Sequence, residues 1–363
     1  MKARRKNSFS KIDFRRASLL ILLIISVTNT GMARLKTPSN AVVATISGVP
    51  GAGAVVCSPD GRFVYVNCAD EIAIIDTTIP QVVATVAMPF TVTLSCLAIS
   101  PDGQTLYTVS QTDSNDYVVY VISTVSRTVT AQVSLNGEVR QIAMTPDGTE
   151  LWIGNIHYPE PGIFILDTFS LTGDSLSLPT SGGAYGIAFT TAGQAYVSYE
   201  NNNAKQLSID LALINVSSET LANSNVAPAL HAAPLAGAQQ LTMNPNGKFL
   251  YAIDLARDAT FTDAIAVNIA TAGTKKYYSQ GAGQHVMSQG VTPDGNYLYL
   301  GLYNYTTNTG AVTSLNAANG SAIGKSIPIT PSPAAIAISP DGKYAYVTSS
   351  GAGSVTMIDI TPL

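Results

Sequence analysis

The chain has 363 residues, of which 46% are apolar and 12% charged, and its formal net charge is −4. Outside the first 33 residues it shows no basic stripe, which excludes nucleic acid or an anionic membrane surface as the main partner, since both are held by clustered Lys and Arg. Three cysteines with no suitable spacing exclude a Cys-based zinc site.

Residues 1–33 read as an export signal. Lys2, Arg4, Arg5, Lys6, Lys11, Arg15 and Arg16 make a basic start, Ala17 to Val27 an apolar stretch, and Gly31-Met32-Ala33 supplies small residues for cleavage. The apolar stretch is shorter than the ~20 residues needed to cross a bilayer, so no transmembrane span is expected in the mature chain. Removing residues 1–33 takes away seven basic residues and Asp13, which moves the net charge from −4 to −10. The expected location is periplasmic or extracellular. Residues 34–40 read as a short linker.

From residue 41 to 363 the chain repeats. Ser58-Pro59-Asp60-Gly61 returns as Ser100-Pro101-Asp102-Gly103, Thr145-Pro146-Asp147-Gly148, Thr190-Thr191-Ala192-Gly193, Asn244-Pro245-Asn246-Gly247, Thr292-Pro293-Asp294-Gly295 and Ser339-Pro340-Asp341-Gly342. Pro pre-sets the first central position of a type I turn, Asp or Asn suits the second, and Gly takes the left-handed position that closes a hairpin. The fourth copy loses Pro and Asp but keeps Gly193, as expected if the turn geometry is required and the side chains assist it. Successive starts lie 42 to 54 residues apart. A period in the forties with β-rich sequence between the marks is the signature of a propeller in which each repeat is one blade.

An apolar run precedes the turns (Leu97-Ala98-Ile99, Ile336-Ala337-Ile338) and an aromatic β run follows them (Phe63-Val64-Tyr65-Val66, Tyr344-Ala345-Tyr346-Val347). These read as strands a and b. Two residues before each turn the side chain is almost always small: Val56, Ala98, Ala143, Ala188, Thr242, Gly290 and Ala337. One face of strand a is therefore expected to pack tightly against a neighbouring blade. Strand c ends at a polar turn-former, from Asp76 to Asp359, and strand d follows, as in Gln81-Val82-Val83-Ala84-Thr85-Val86. The last repeat lacks a strand d, while Ala41-Val42-Val43-Ala44-Thr45-Ile46 nearly duplicates one. The predicted fold is all-β: a seven-bladed β-propeller of four-stranded antiparallel blades, closed by the N-terminal strand completing the last blade.

Ser-Pro-Asp-Gly, the aromatic Tyr-Val strand, Ile-Asp-Thr and Val-Val-Ala-Thr resemble the YVTN-type seven-bladed β-propeller repeat, a group described as surface-layer-related or periplasmic propeller proteins. The resemblance covers residues 41–363 and is best in blades one, two and seven. It implies the fold and a place outside the cytoplasm, but no single activity, because propellers host many functions.

Antiparallel connectivity puts the a–b and c–d turns on one face and the b–c and d–a loops on the other. The second face carries the longer loops, including 200–206, 227–237, 255–263 and 302–310, and is where binding residues are expected. The residues five before each turn start (Gly53, Ser95, Arg140, Tyr185, Gln239, Met287 and Ala334) should rim the mouth of the central channel. Arg140, Tyr185 and Gln239, with Glu138 nearby, come from consecutive blades and could hold an anionic or sugar-like ligand; His285 is added from blade six. No metal site is expected, since His157, His231 and His285 belong to different repeats. No cofactor is expected either. A disulfide between Cys68 and Cys96 is one reading; buried thiols are the other.

With no nucleophile elbow and no Ser–His pair, the leading expectation is a non-enzymatic, monomeric binding or scaffold module for a protein, glycan or small ligand. The alternatives are a lactonase-like hydrolase or isomerase using Arg140, His285 and Glu138, and a structural component of the cell envelope.

Overall fold

The structure, a computed structural model, describes residues 35–363 apart from 90–91, 113–115, 136, 156–161, 181, 202–207, 227–234, 257–261 and 279–283. The expected export signal lies outside the described residues. Residues 37–363 form one unit, and its strands sort into seven four-stranded antiparallel sheets. Six of them take four strands in chain order, as in blade three: Val139–Met144, Glu150–Asn155, Gly162–Asp167 and Gly173–Ser177. Apart from the single 3-10 turn Val216–Ser218, the described residues contain no helix.

The seventh sheet mixes the two ends of the chain. Pro333–Ile338, Tyr344–Ser349 and Ser354–Asp359 supply three strands, and Ala41–Ser47 is the fourth, with Ala41 opposite Asp359 and Ser47 opposite Ser354. The predicted closure is what the structure contains. The segment before that strand adds further ties. Ser39 N–H donates to Thr361 O at 2.8 Å, Leu363 N–H donates to Thr37 O at 2.9 Å, and Pro38 bridges Pro362. Asn40, at φ +52°, reaches blade six instead: its amide donates to Ser314 Oγ and its Oδ1 accepts from the Tyr299 hydroxyl, both at 3.0 Å.

All seven tetrapeptide glycines have φ between +70° and +76°. Where the turn carries Ser or Thr followed by Asp, the hydroxyl donates to the Asp carboxylate, as in Ser58 Oγ to Asp60 Oδ1 at 2.5 Å, and that carboxylate accepts the backbone N–H two residues on. These bonds hold the turn aspartates below their ordinary carboxylate range. In the fourth copy, which has no Asp, Thr190 Oγ1 itself accepts from the N–H groups of Ala192 and Gln194.

The small residue two before each turn has a specific partner. Val56, Ala98, Ala143, Ala188, Thr242, Gly290 and Ala337 lie directly across from Tyr65, Tyr107, Trp152, Tyr196, Tyr251, Tyr299 and Tyr346. Each of those seven aromatics is at most 3% exposed. A small side chain opposite a large one lets each ring lie against its own sheet and the next blade at normal packing density. At Gly290 even a Cβ would come within 3.0 Å of Ile336 in the next blade. The core is accordingly divided among apolar clusters that lie between adjacent blades.

Of the two readings of Cys68 and Cys96, buried thiols is the one the structure contains: they form no disulfide. Cys68 packs in the cluster between blades seven and one and Cys96 in that between blades two and three, so the thiols face different seams. Burial pushes the Cys68 thiol up to about 11. One expectation needs correction: the loops are shorter than read, because strands run further out, and blade six leaves only residues 305–308 between Tyr297–Asn304 and Thr309–Asn316.

Candidate functional site

The channel wall is built by strand a of each blade, and each strand a carries an irregularity at the same place, with a second one nearer the start of that strand in blade five. In blade three Val139 pairs with Asn155 and Gln141 with Gly154, so Arg140 is an extra residue. The same slip isolates Tyr185 in blade four, Gln239 in blade five and Met287 in blade six. In blade seven it falls within Ala334–Ala335, and in blade two it spans residues 93–96. Blade one has it in hydrogen-bond form, since Gly53 N–H donates to Asn67 O while Ala54 O accepts from Asn67 N–H. These are β-bulges, which re-aim a side chain at a sheet rim. The residue five before each turn, nominated from repeat spacing, is the bulge residue.

The bulges surround a cavity of about 430 Å³ at the channel, lined among others by Gly53, Arg140, Met287 and Ala334. That is four of the seven nominated rim positions. Further along the same strands the lining turns apolar, with Val55, Leu97, Ile142 and Ile336, joined by Ile253 and Val286. Among the described residues, Gln141 and Gln240 are the other polar side chains in the wall besides Arg140 and Ser350.

Side chains stitch adjacent blades around this cavity. Asn67 Nδ2 donates to Cys96 O at 2.5 Å. Gln141 Oε1 accepts from Ile187 N–H at 2.9 Å. Gln289 Nε2 donates to Gln240 O and Tyr251 O, and Thr348 Oγ1 donates to Gly53 O at 2.7 Å. Three of these cross-links are to backbone carbonyls, so the wall is fixed by hydrogen bonds rather than by loop packing.

The sequence-predicted residues separate into two groups. Arg140 and Glu138 are brought together, with Arg140 Nη2 2.9 Å from Glu138 Oε1. Tyr185 stands beside them. Burial first, then the Glu200 carboxylate, raises its phenol above the ordinary range, against the opposing pull of Arg140. Its hydroxyl donates to Glu200 Oε2 at 3.4 Å. Tyr117, buried in blade two, is raised by burial and then by Glu138. Glu200 and Tyr117 escaped the sequence reading because both lie on other strands of their blades, and only the fold brings them to the Arg140 bulge. Gln239 occupies its bulge, but its side chain is outside the described residues; its neighbour Gln240 lines the cavity.

His285 belongs elsewhere. It lies in strand a of blade six, 8% exposed, and meets Tyr305 edge-on with ring centroids 4.7 Å apart. Burial lowers its pKa, which keeps it neutral near pH 7. It is not among the cavity-lining residues, and Arg140 comes from a blade on the other side of the ring. The trio required by a lactonase-like mechanism is thus not assembled at one point. His157 and His231 lie outside the described residues. Among the described residues no group of three or more His, Cys, Asp or Glu side chains could hold a metal ion.

No protein-family model and no curated protein matches the chain. Solved structures do. Kuenenia stuttgartiensis hydrazine synthase superposes with a TM-score of 0.70 at 16% identity, covering 87% of this chain and 97% of that one. The Myceliophteria thermophila Cps50 (Swd1) β-propeller domain gives a TM-score of 0.68 at 13% identity, covering 89% and 100%. This chain has the propeller fold. At such low identity the likeness carries the architecture and nothing of either protein's activity.

Proposed function

We propose that this protein is an exported, non-enzymatic binding propeller that takes a small ligand in the mouth of its central channel. The observation that carries the reading is the cavity of about 430 Å³ among the strand-a bulges, whose residues Arg140, Met287 and Ala334 line it from blades three, six and seven. That volume falls in the ~300–1,000 Å³ range of small-molecule sites, and its mix of apolar lining with a few placed polar groups is what such sites share. The separation of His285 from the Arg140–Glu138 pair supports binding over hydrolysis. The turn chemistry supports membership of the YVTN-type repeat group, and the basic and apolar halves of residues 1–33 support export to the periplasm or beyond.

Small molecules released on denaturing the natively purified protein, identified by mass spectrometry, test the binding. Ala335→Trp or Ala334→Trp, each placing an indole in the cavity wall, should remove a bound compound that the unaltered protein retains. Equal retention in both correctly folded variants would overturn the channel as the site. No lactone should be turned over with or without divalent metal; turnover that disappears in His285→Ala would replace this reading with the hydrolase. Residues 1–33 fused to a reporter active only outside the cytoplasm should give activity, and an inactive fusion would remove the export proposal.

A further inference from the structure

The polar side of the cavity is narrower in its demands than a lone arginine suggests. Among the described residues Arg140 is the one ionisable side chain in the lining, and by itself it would recruit an anion. It is already paired at 2.9 Å with Glu138, and a second carboxylate, Glu200, accepts from the hydroxyl of Tyr185, the bulge residue of the next blade, at 3.4 Å. The described surroundings of the guanidinium therefore hold two negative groups against one positive. An incoming carboxylate must compete with Glu138 for the guanidinium and approach Glu200, so like-charge repulsion works against it. A hydroxyl meets no such conflict, because it can accept from Arg140 and donate to Glu138.

A second observation points the same way. Among the described residues, the other polar side chains of the lining, Gln141, Gln240 and Ser350, are uncharged and add no cation to balance a carboxylate. Beyond these polar groups the wall is made by Val55, Leu97, Ile142, Ile253, Val286 and Ile336, which suits an apolar body and cannot satisfy a charge.

We propose that the channel selects a neutral, hydroxylated ligand with an apolar portion, of the chemistry of an aryl or alkyl glycoside, and discriminates against its anionic counterpart. This rests on the channel being the binding site. The hydroxylated end lies at the Arg140–Glu138 pair, and the apolar end lies on the aliphatic lining.

A matched pair of probes tests it. 4-Methylumbelliferyl β-glucoside and 4-methylumbelliferyl β-glucuronide differ only in a hydroxymethyl group replaced by a carboxylate, and 4-methylumbelliferone supplies the apolar part alone. Titration of the mature protein by calorimetry or fluorescence should show the glucoside binding about tenfold tighter than the glucuronide. Glu138→Gln, which removes the competing carboxylate, should tighten the glucuronide and narrow the gap. Ile142→Asp should weaken the glucoside and the umbelliferone together. A glucuronide that binds as tightly as the glucoside, or a gap unchanged in Glu138→Gln, would overturn the selection while leaving the channel site standing. Binding of all three probes that survives Ala335→Trp would overturn the channel site itself.

Discussion

Tyr251 and Tyr277, both in blade five, converge on one acceptor in blade six. The Tyr251 hydroxyl donates to Ala317 O at 2.6 Å and the Tyr277 hydroxyl to the same oxygen at 3.1 Å. Tyr251 also accepts from Asn244 Nδ2, which has a second acceptor in Gly295 O. Tyr251→Phe leaves Ala317 O with Tyr277, but only one of the two Asn244 amide N–H groups keeps its acceptor, Gly295 O, and the other is orphaned in a residue that is 1% exposed. The cost should be about 2–3 kcal/mol, that of a lost hydrogen bond with an orphaned buried donor. Tyr277→Phe orphans nothing, because Ala317 O keeps Tyr251, and should cost about 1 kcal/mol. The double variant strips Ala317 O of both donors in a site where Ala317 is fully buried. It should lose about 1–2 kcal/mol more than the sum of the two single changes. Urea unfolding midpoints at constant slope measure all three differences. Additivity within about 0.5 kcal/mol would show that the carbonyl finds another donor and would refute the reasoning.

Asn40→Ala removes the acceptor of the Tyr299 hydroxyl and places alanine at φ +52°; a loss of about 2–3 kcal/mol is expected, read by thermal melting, and an unchanged melt would deny the tether any role. Gly290→Ala brings a Cβ to 3.0 Å from Ile336, so it should destabilise by about 1–3 kcal/mol; adding Ile336→Val should recover part of that in the same melt, and no recovery would place the strain elsewhere. Stability should fall at both ends of the pH scale. The turn carboxylates Asp60, Asp102 and Asp147 are lowered in the fold by hydrogen bonds, so their contribution is present above the unfolded value of 3.8 and is lost as pH drops below about 4. Tyr199, Tyr251, Tyr277, Tyr299 and Tyr346 are raised by burial, Tyr199 and Tyr277 to about 12. The fold keeps these protons while the unfolded chain releases them, so stability should decline above about pH 10, and a flat urea midpoint between pH 9 and 11 would contradict this.

The blade repeat was legible because turn chemistry is local: Pro, Asp and Gly act within four residues, and even the worn Thr190–Gly193 copy keeps the one residue its backbone angle demands. The small position before each turn was legible as a pattern, but its reason was not, since the aromatic it faces lies eight or nine residues further along and becomes a partner only when the hairpin closes. Arg140, Tyr185 and Gln239 could be placed by counting, yet the bulge at which each sits is a mismatch between two strands and leaves no mark in either one. Glu200 and Tyr117 were invisible for a related reason: their nearness to Arg140 is a contact between blades. His285 was drawn in by chemistry alone, and its edge-on packing against Tyr305 shows how a reactive residue type can serve as a stable wall.

The pairing of Ala41 with Asp359 spans 318 positions of the chain. Bringing such distant points together costs about 5 kcal/mol in lost chain freedom if nothing between them is ordered, and far less once six blades already hold the ends near one another. Sealing is therefore expected to be the last act of folding, performed after the final residues of the repeat are available. Until then the first segment would be a loose ribbon beside an unfinished sheet. A protease added during refolding should find that ribbon cleavable to the very end, and resistance at residues 41–47 should appear in the same moment as the native melting transition.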